Sequence, residues 1–306
     1  MGKYINPFTD VGFKRIFGQE FSKPLLIDFL NNLLVGEREI VDITFLDKEQ
    51  PGEFADDRSL IYDIFCRTSD GEQIIVEMQN REQPFFKKRS IYYTAEAIAR
   101  QGERGVDWKY GIHAVYFVSF LNFRLDDIGK EFRTDVSLMN TQTKEVFSKD
   151  IRMIFLQLPY FKKSPEECED DFDCWIYVLK HMEALNRLPW VSKNPIFKRL
   201  SEIGEVSALS REERIKYDAA IRIYRDNLYA MEGAEEVGMR KGFEKGRKKG
   251  REEGRLEGRE EGILEGIEKG IEKGILMTAR KLKVMGVPAH SIAEATGLSA
   301  EVIEGL

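Results

Sequence analysis

Apolar residues at 25, 26, 29, 30, 33 and 34 repeat in the i, i+1, i+4, i+5 rhythm of one helix face. Phe13, Ile16 and Phe17 predict a shorter helix before it, with Thr9 or Asp10 able to cap its start. The period then changes. Val41, Ile43 and Phe45 alternate with Asp42 and Thr44, the two-residue rhythm of a strand. Residues 60–68 and 73–79 predict two more strands, with Ser69-Asp70-Gly71 between them. Pro84 opens a helix to roughly Arg100, with Ile91, Tyr92, Ala95 and Ile98 on its amphipathic face. Residues 112–120 (IHAVYFVSF) read as a buried strand, and 136–138 and 151–158 as further strands. The order helix, three strands, helix, strand makes this an α/β chain.

The hairpin over 60–79 carries the candidate chemistry. A three-residue loop ending in glycine combines a type I turn with a glycine bulge, because its third position needs positive φ. With Ser69-Asp70-Gly71 as that loop, Thr68 faces Glu72, Asp63 falls opposite Glu77, and Ile61 opposite Gln79. Glu77 and Gln79 share a sheet face, so two carboxylates and one amide converge on one patch. A two-residue loop would shift the register by one and separate the carboxylates. Like charges directly opposite each other destabilise a sheet. A divalent cation would remove the repulsion, and hard oxygen ligands without His or Cys select Mg2+ or Mn2+. The alternative is a pair of carboxylates solvated on an open face.

Composition narrows the classes. The chain has 306 residues, 42% hydrophobic and 33% charged, which suits a globular protein of one large domain or two small ones. Three cysteines without a CxxC and three scattered histidines disfavour a disulfide scaffold and a Cys/His zinc site. They fit a reducing, cytoplasmic setting. A net charge of −6 gives no global attraction for nucleic acid, so any DNA contact must be local. The sequence has no transmembrane run and no signal-peptide pattern, so no membrane partner is expected.

The segments FTDVGFKRIFG, LLIDFLNNLL, the VEMQ strand and FFKKRSIYY resemble the Rpn-type recombination-promoting nucleases, also called PD-(D/E)XK nuclease family transposases. The resemblance covers residues 4 to about 130. It implies a restriction-endonuclease-like α-β-β-β-α-β core and Mg2+-dependent DNA endonuclease activity that promotes recombination or transposition. It places metal-binding and catalytic roles on Asp63 and Glu77, a catalytic role on Gln79, and makes Asp10 an auxiliary acidic candidate. Where the superfamily usually has lysine, this chain has Gln79, which is neutral. That departure keeps open a catalytically weak or inactive DNA-binding, self-assembling protein on the same scaffold. Lys87, Lys88 and Arg89 are candidate DNA-phosphate contacts, and Arg89 shares a helix face with Tyr93. A solvated basic face with Tyr93 in the core is the plainer account. Asp10 and Lys14, four apart, also fit a simple i, i+4 ion pair.

From 237 onward the texture changes again. Glycine recurs at 238, 242, 246, 250, 254, 258, 262, 266, 270 and 274. Each glycine costs about 1 kcal/mol against alanine in a helix, so ten cost roughly 10 kcal/mol unless close approach of another helix offsets it. A homodimer through this repeat is one expectation, a solvated tail is another, and the basic stretch from Arg240 to Arg251 could lie on a DNA backbone. The residues after the glycines change from Arg (247, 251, 255, 259) to Ile (263, 267, 271, 275). Residues 277–306 resemble a small helix-turn-helix whose last helix, AEVIEGL, has no side chain suited to reading a base edge. The expected organisation is therefore a nuclease-like core over 1–160, a helical extension over 161–236, a glycine-repeat helix over 237–276 and a cap over 277–306.

Overall fold

The computed structural model describes residues 2–50, 60–102 and 109–306. Two compact units emerge, Met1–Asn227 and Leu228–Leu306. The first opens with α1 (Asp10–Phe17) and α2 (Lys23–Leu33). The Thr9 hydroxyl caps α1 by accepting from the Gly12 amide at 3.0 Å. Gly12 is required by close approach: a Cβ there would lie 2.1 Å from the Asn6 carbonyl oxygen. The apolar stripe of α2 is buried through Leu25, Leu26, Phe29, Leu30 and Leu33.

Strands β1 (Ile43–Phe45), β2 (Glu49–Gln50), β3 (Leu60–Ile61), β4 (Ile64–Thr68) and β5 (Gln73–Gln79) follow. Helix α3 (Phe86–Ala99) crosses to β6 (Val115–Leu121), and β7 (Arg133–Met139) and β8 (Val146–Gln157) complete the strands. The main sheet has the order β1-β4-β5-β6-β8-β7. Its centre, β5-β6-β8, is parallel, and the other pairs are antiparallel. The β4–β5 loop has the expected length. Gly71 has φ +90°, and the Thr68 amide donates to the Glu72 carbonyl at 2.8 Å.

Three expectations need correction. Helix α3 buries Phe86, Ser90, Thr94 and Ala97, and the expected face fails because Ile91, Tyr92 and Ala95 point to solvent. Residues 60–68 are not one strand: Leu60 and Ile61 pair with β2, and only Ile64–Arg67 pairs with β5. Ile61 therefore stands opposite Glu49, not Gln79. Tyr62 packs in the cluster on the α3 side and Ile64 in the opposite one, so the backbone turns at Asp63 and the ladder ends there. The last two strands also begin earlier than expected. Their outer residues are half-exposed or exposed on the sheet edge, so no apolar alternation marks them.

One face of the sheet packs on α1 and α2, and on α4 (Asp171–His181) and α5 (Pro195–Gly204). Trp175 and Phe197, both fully buried, join this core, so residues beyond 160 complete it. The other face packs on α3 through Ile75, Phe86, Ala97, Phe117 and Phe155. Helix α6 runs Arg211–Val284, and its first turns add Tyr217 and Ile221 to the first core. Among the described residues, no helix is long and apolar enough to cross a membrane.

In the second unit the glycine repeat is helical. Among the described residues, a Cβ added at any of its ten glycines would meet nothing within 4 Å, so no close approach there offsets their helix penalty. The unit ends with α7 (Ala289–Thr296) and α8 (Ala300–Gly305), which bury Ile292 and Ile303 against Ala279. Gly297, at φ +71°, terminates α7.

Candidate active site

The β4–β5 ladder stops where the carboxylates begin. Beyond Ile64, main-chain pairing gives way to a reciprocal pair of side-chain bonds. The Asp63 amide donates to Glu77 Oε1 at 3.2 Å, and the Met78 amide donates to Asp63 Oδ2 at 2.9 Å. The turn of the backbone at Asp63 thus keeps both carboxyls together after the strands part. Glu77 is only 4% exposed, which rules out the solvated open face for it. In β5 it shares the α3-side face with Ile75, and Gln79 follows on that face, half-buried.

Burial, together with the charge of Asp63, pushes the Glu77 carboxyl up to about 8. Burial also raises Asp63, against the amide of Met78 and the positive charges of Lys14 and Arg89. No described residue donates a hydrogen bond to Asp63 Oδ1 or Glu77 Oε2. Two hard oxygen ligands that repel each other, each with a free oxygen, fit a hard divalent cation. Among the described residues, no group of three or more His, Cys, Asp or Glu side chains could hold a metal. The remaining positions around a cation would fall to water, as Mg2+ tolerates.

Asp10 and Lys14 form an ion pair on α1. Both charges are felt at Asp63, Asp10 raising its carboxyl and Lys14 lowering it. The turn before α1 is tied to the strand that carries Glu77, because Asn80 Nδ2 donates to the Phe8 carbonyl at 2.6 Å. Arg89 lies over the rings of Phe86 and Tyr93, at 5.4 and 5.8 Å. Its Nη1 donates to Gln83 Oε1 at 2.6 Å, while Nη2 is buried without a partner. Tyr93 meets Tyr62 edge-to-face at 5.2 Å, so it belongs to the core and still borders the site. Lys87 pairs with Asp127, and Lys88 is exposed with no ion pair among the described residues.

Sequence reasoning misses several polar groups here. Ser119 is the β6 partner of Glu77 in the parallel register, and its Oγ is buried without a hydrogen bond. Tyr62 Oη and Asn80 Oδ1 are likewise buried and unpaired. With Arg89 Nη2, four of the seven such atoms among the described residues therefore lie on neighbours of Asp63, Glu77 or Gln79. A serine within the apolar run IHAVYFVSF was the one available signal for Ser119. The end of β6 is held from far along the chain. Asn122, whose amide donates to the Gln79 carbonyl at 2.9 Å, donates from Nδ2 to the Tyr224 hydroxyl at 3.2 Å. Tyr217 on the same helix accepts from the Asn6 amide at 2.8 Å.

No curated protein and no solved structure gives a significant match to the chain. A family model, described as PD-(D/E)XK nuclease family transposase, matches residues 7–234. That span runs from the turn before α1 through the sheet and both carboxylates to Tyr217 and Tyr224 of α6. The arrangement of α2, β1, β4, β5, α3 and β6 is the α-β-β-β-α-β order which the sequence resemblance implied. The chain belongs to the PD-(D/E)XK nuclease family transposases.

Proposed function

We propose that the protein is a metal-dependent DNA endonuclease acting in recombination or transposition, with the metal held by Asp63 and Glu77. Family membership supports a nuclease or transposition-related role and DNA as substrate. The observation that carries the finer reading is the buried Asp63–Glu77 pair, with both carboxyls raised and one oxygen of each free. A bound Mg2+ or Mn2+ supplies Lewis-acid stabilisation of phosphate charge and a lower pKa for water.

The chain's own groups divide the remaining work. Gln79 orients water through its carboxamide but carries no charge. Arg89 supplies a fixed cation, one arm held by Gln83 and the other free to meet a phosphate oxygen. Lys88 is free to join it, and Lys87 would have to exchange Asp127 for phosphate. Asp10, paired with Lys14, adjusts the charge beside Asp63. Ile263, Ile267 and Ile271, all exposed beside the glycines, support a homodimer through the repeat helix.

A second reading is favoured by Gln79 itself. Without the usual lysine, the scaffold would bind DNA or self-assemble with little or no cleavage. Nicking of supercoiled plasmid decides between them. Mg2+- or Mn2+-dependent nicking that EDTA stops and that Asp63→Ala and Glu77→Ala abolish supports the endonuclease. Wild-type rates in both variants refute the site, and no nicking by the wild type with either metal supports the second reading.

A further inference from the structure

Residues 240–251 of α6 hold seven basic side chains and one acid, Glu244, in a chain whose net charge is −6. All seven are exposed. Lys249 pairs with Glu253 at 3.5 Å; among the described residues, Arg240, Lys241, Lys245, Arg247, Lys248 and Arg251 make no ion pair. Farther along the same helix the balance reverses. Residues 252–273 carry eight glutamates and four cations, and Lys269 bonds Glu265 at 2.5 Å. The positive run is thus an unbalanced local field rather than part of an alternating, self-paired helix surface.

The cations also share a side. At about 100° per residue they occupy roughly 200° of the helix circumference, and Gly242, Gly246 and Gly250 fall in the remainder. The run is about 18 Å long, a length over which duplex DNA carries about ten phosphates. Flexible, unpaired lysines and arginines along one side match a regular line of phosphates and need no base contact. An acidic segment of a second copy is a weaker match, because residues 252–273 interleave their glutamates with four cations.

We propose that the basic side of α6 over residues 240–251 is a docking surface for the phosphate backbone of duplex DNA, outside the carboxylate site. The proposal rests on the nuclease reading only for the choice of DNA as the polyanion. The test is fluorescence anisotropy of the full-length protein with a labelled 30-bp duplex of mixed sequence, in EDTA, across a KCl series. The variant combines Lys241→Gln, Lys245→Gln, Lys248→Gln and Lys249→Gln, which leaves helix propensity nearly unchanged. Circular dichroism verifies that. A control combines Lys269→Gln and Lys273→Gln.

The expected result is a Kd about tenfold or more weaker and a log–log salt slope shallower by about three to four, with the control unchanged. Wild-type Kd and slope in the fourfold variant overturn the proposal. So does a fourfold variant that binds DNA normally but loses a dimer in analytical ultracentrifugation, which would assign the surface to a second copy. Binding is read without metal, so it is independent of cleavage. A protein that never nicks plasmid but shows the salt-slope change refutes the nuclease and retains the docking surface.

Discussion

Glu77→Gln should make the metal-free protein more stable, by an amount that depends on pH. The amide keeps the shape of the side chain and can still accept from the Asp63 amide, so the change removes the titrating proton and little else. The carboxyl is raised from 4.5 to about 8 in the fold. A carboxyl raised on folding contributes its full stability below the unfolded pKa and loses it as pH climbs to the folded value. At 1.36 kcal/mol per pH unit, the cost of keeping Glu77 buried is under about 1 kcal/mol at pH 5 and about 3 kcal/mol at pH 7. For a unit spanning Met1–Asn227, 1 kcal/mol moves Tm by about 2–4 °C. Thermal unfolding in EDTA should therefore place Glu77→Gln about 6–12 °C above wild type at pH 7 and near it at pH 5. Adding Mg2+ should raise the wild type and leave the variant where it was. A variant that is equally destabilised at pH 5 and pH 7 would show that Glu77 is an ordinary structural hydrogen-bonding group, and the repulsion argument would fail.

Gln79→Lys should retain or raise plasmid nicking, because an ammonium stabilises phosphate charge where an amide cannot; complete loss with a folded protein would count against Gln79 occupying the lysine position. Gly12→Ala should destabilise by about 1–3 kcal/mol in urea unfolding, since its Cβ would meet the Asn6 carbonyl at 2.1 Å and backbone cannot step aside. Replacing Gly262, Gly266, Gly270 and Gly274 by Leu should increase helix content of the isolated repeat peptide by circular dichroism. The same set should reduce the mass of the full-length protein in analytical ultracentrifugation; an unchanged mass would remove the repeat as an assembly element.

Part of this architecture is legible because one residue dictates much of the rest. Gly71 fixes the loop length, loop length fixes the β4–β5 register, and the register brings Asp63 to Glu77. Local spacing also gives the Thr9 cap and the stacking of Arg89 on Tyr93. The break at Tyr62–Asp63 is not legible, because it depends on Leu60 and Ile61 finding Glu49 and Gln50 rather than on any turn residue. The edge strands hide for a similar reason: half-exposed residues there show no two-residue alternation. Ser119 and the tyrosines of α6 meet the site only through the three-dimensional fold. Asn122 to Tyr224 spans 102 positions and Asn6 to Tyr217 spans 211, beyond any periodicity.

Those two long bonds bear on how the protein can be dissected. The neighbourhood of Gln79 is closed by Tyr224 through Asn122, and the approach to α1 by Tyr217 through Asn6. A fragment ending at residue 160 would contain all the strands and both carboxylates yet expose the face that Trp175, Phe197 and Tyr217 cover. The smallest self-standing piece should instead end near Asn227, after the second tyrosine. Expression trials that step the C-terminus back from 227 should lose soluble, folded product before they reach the sheet.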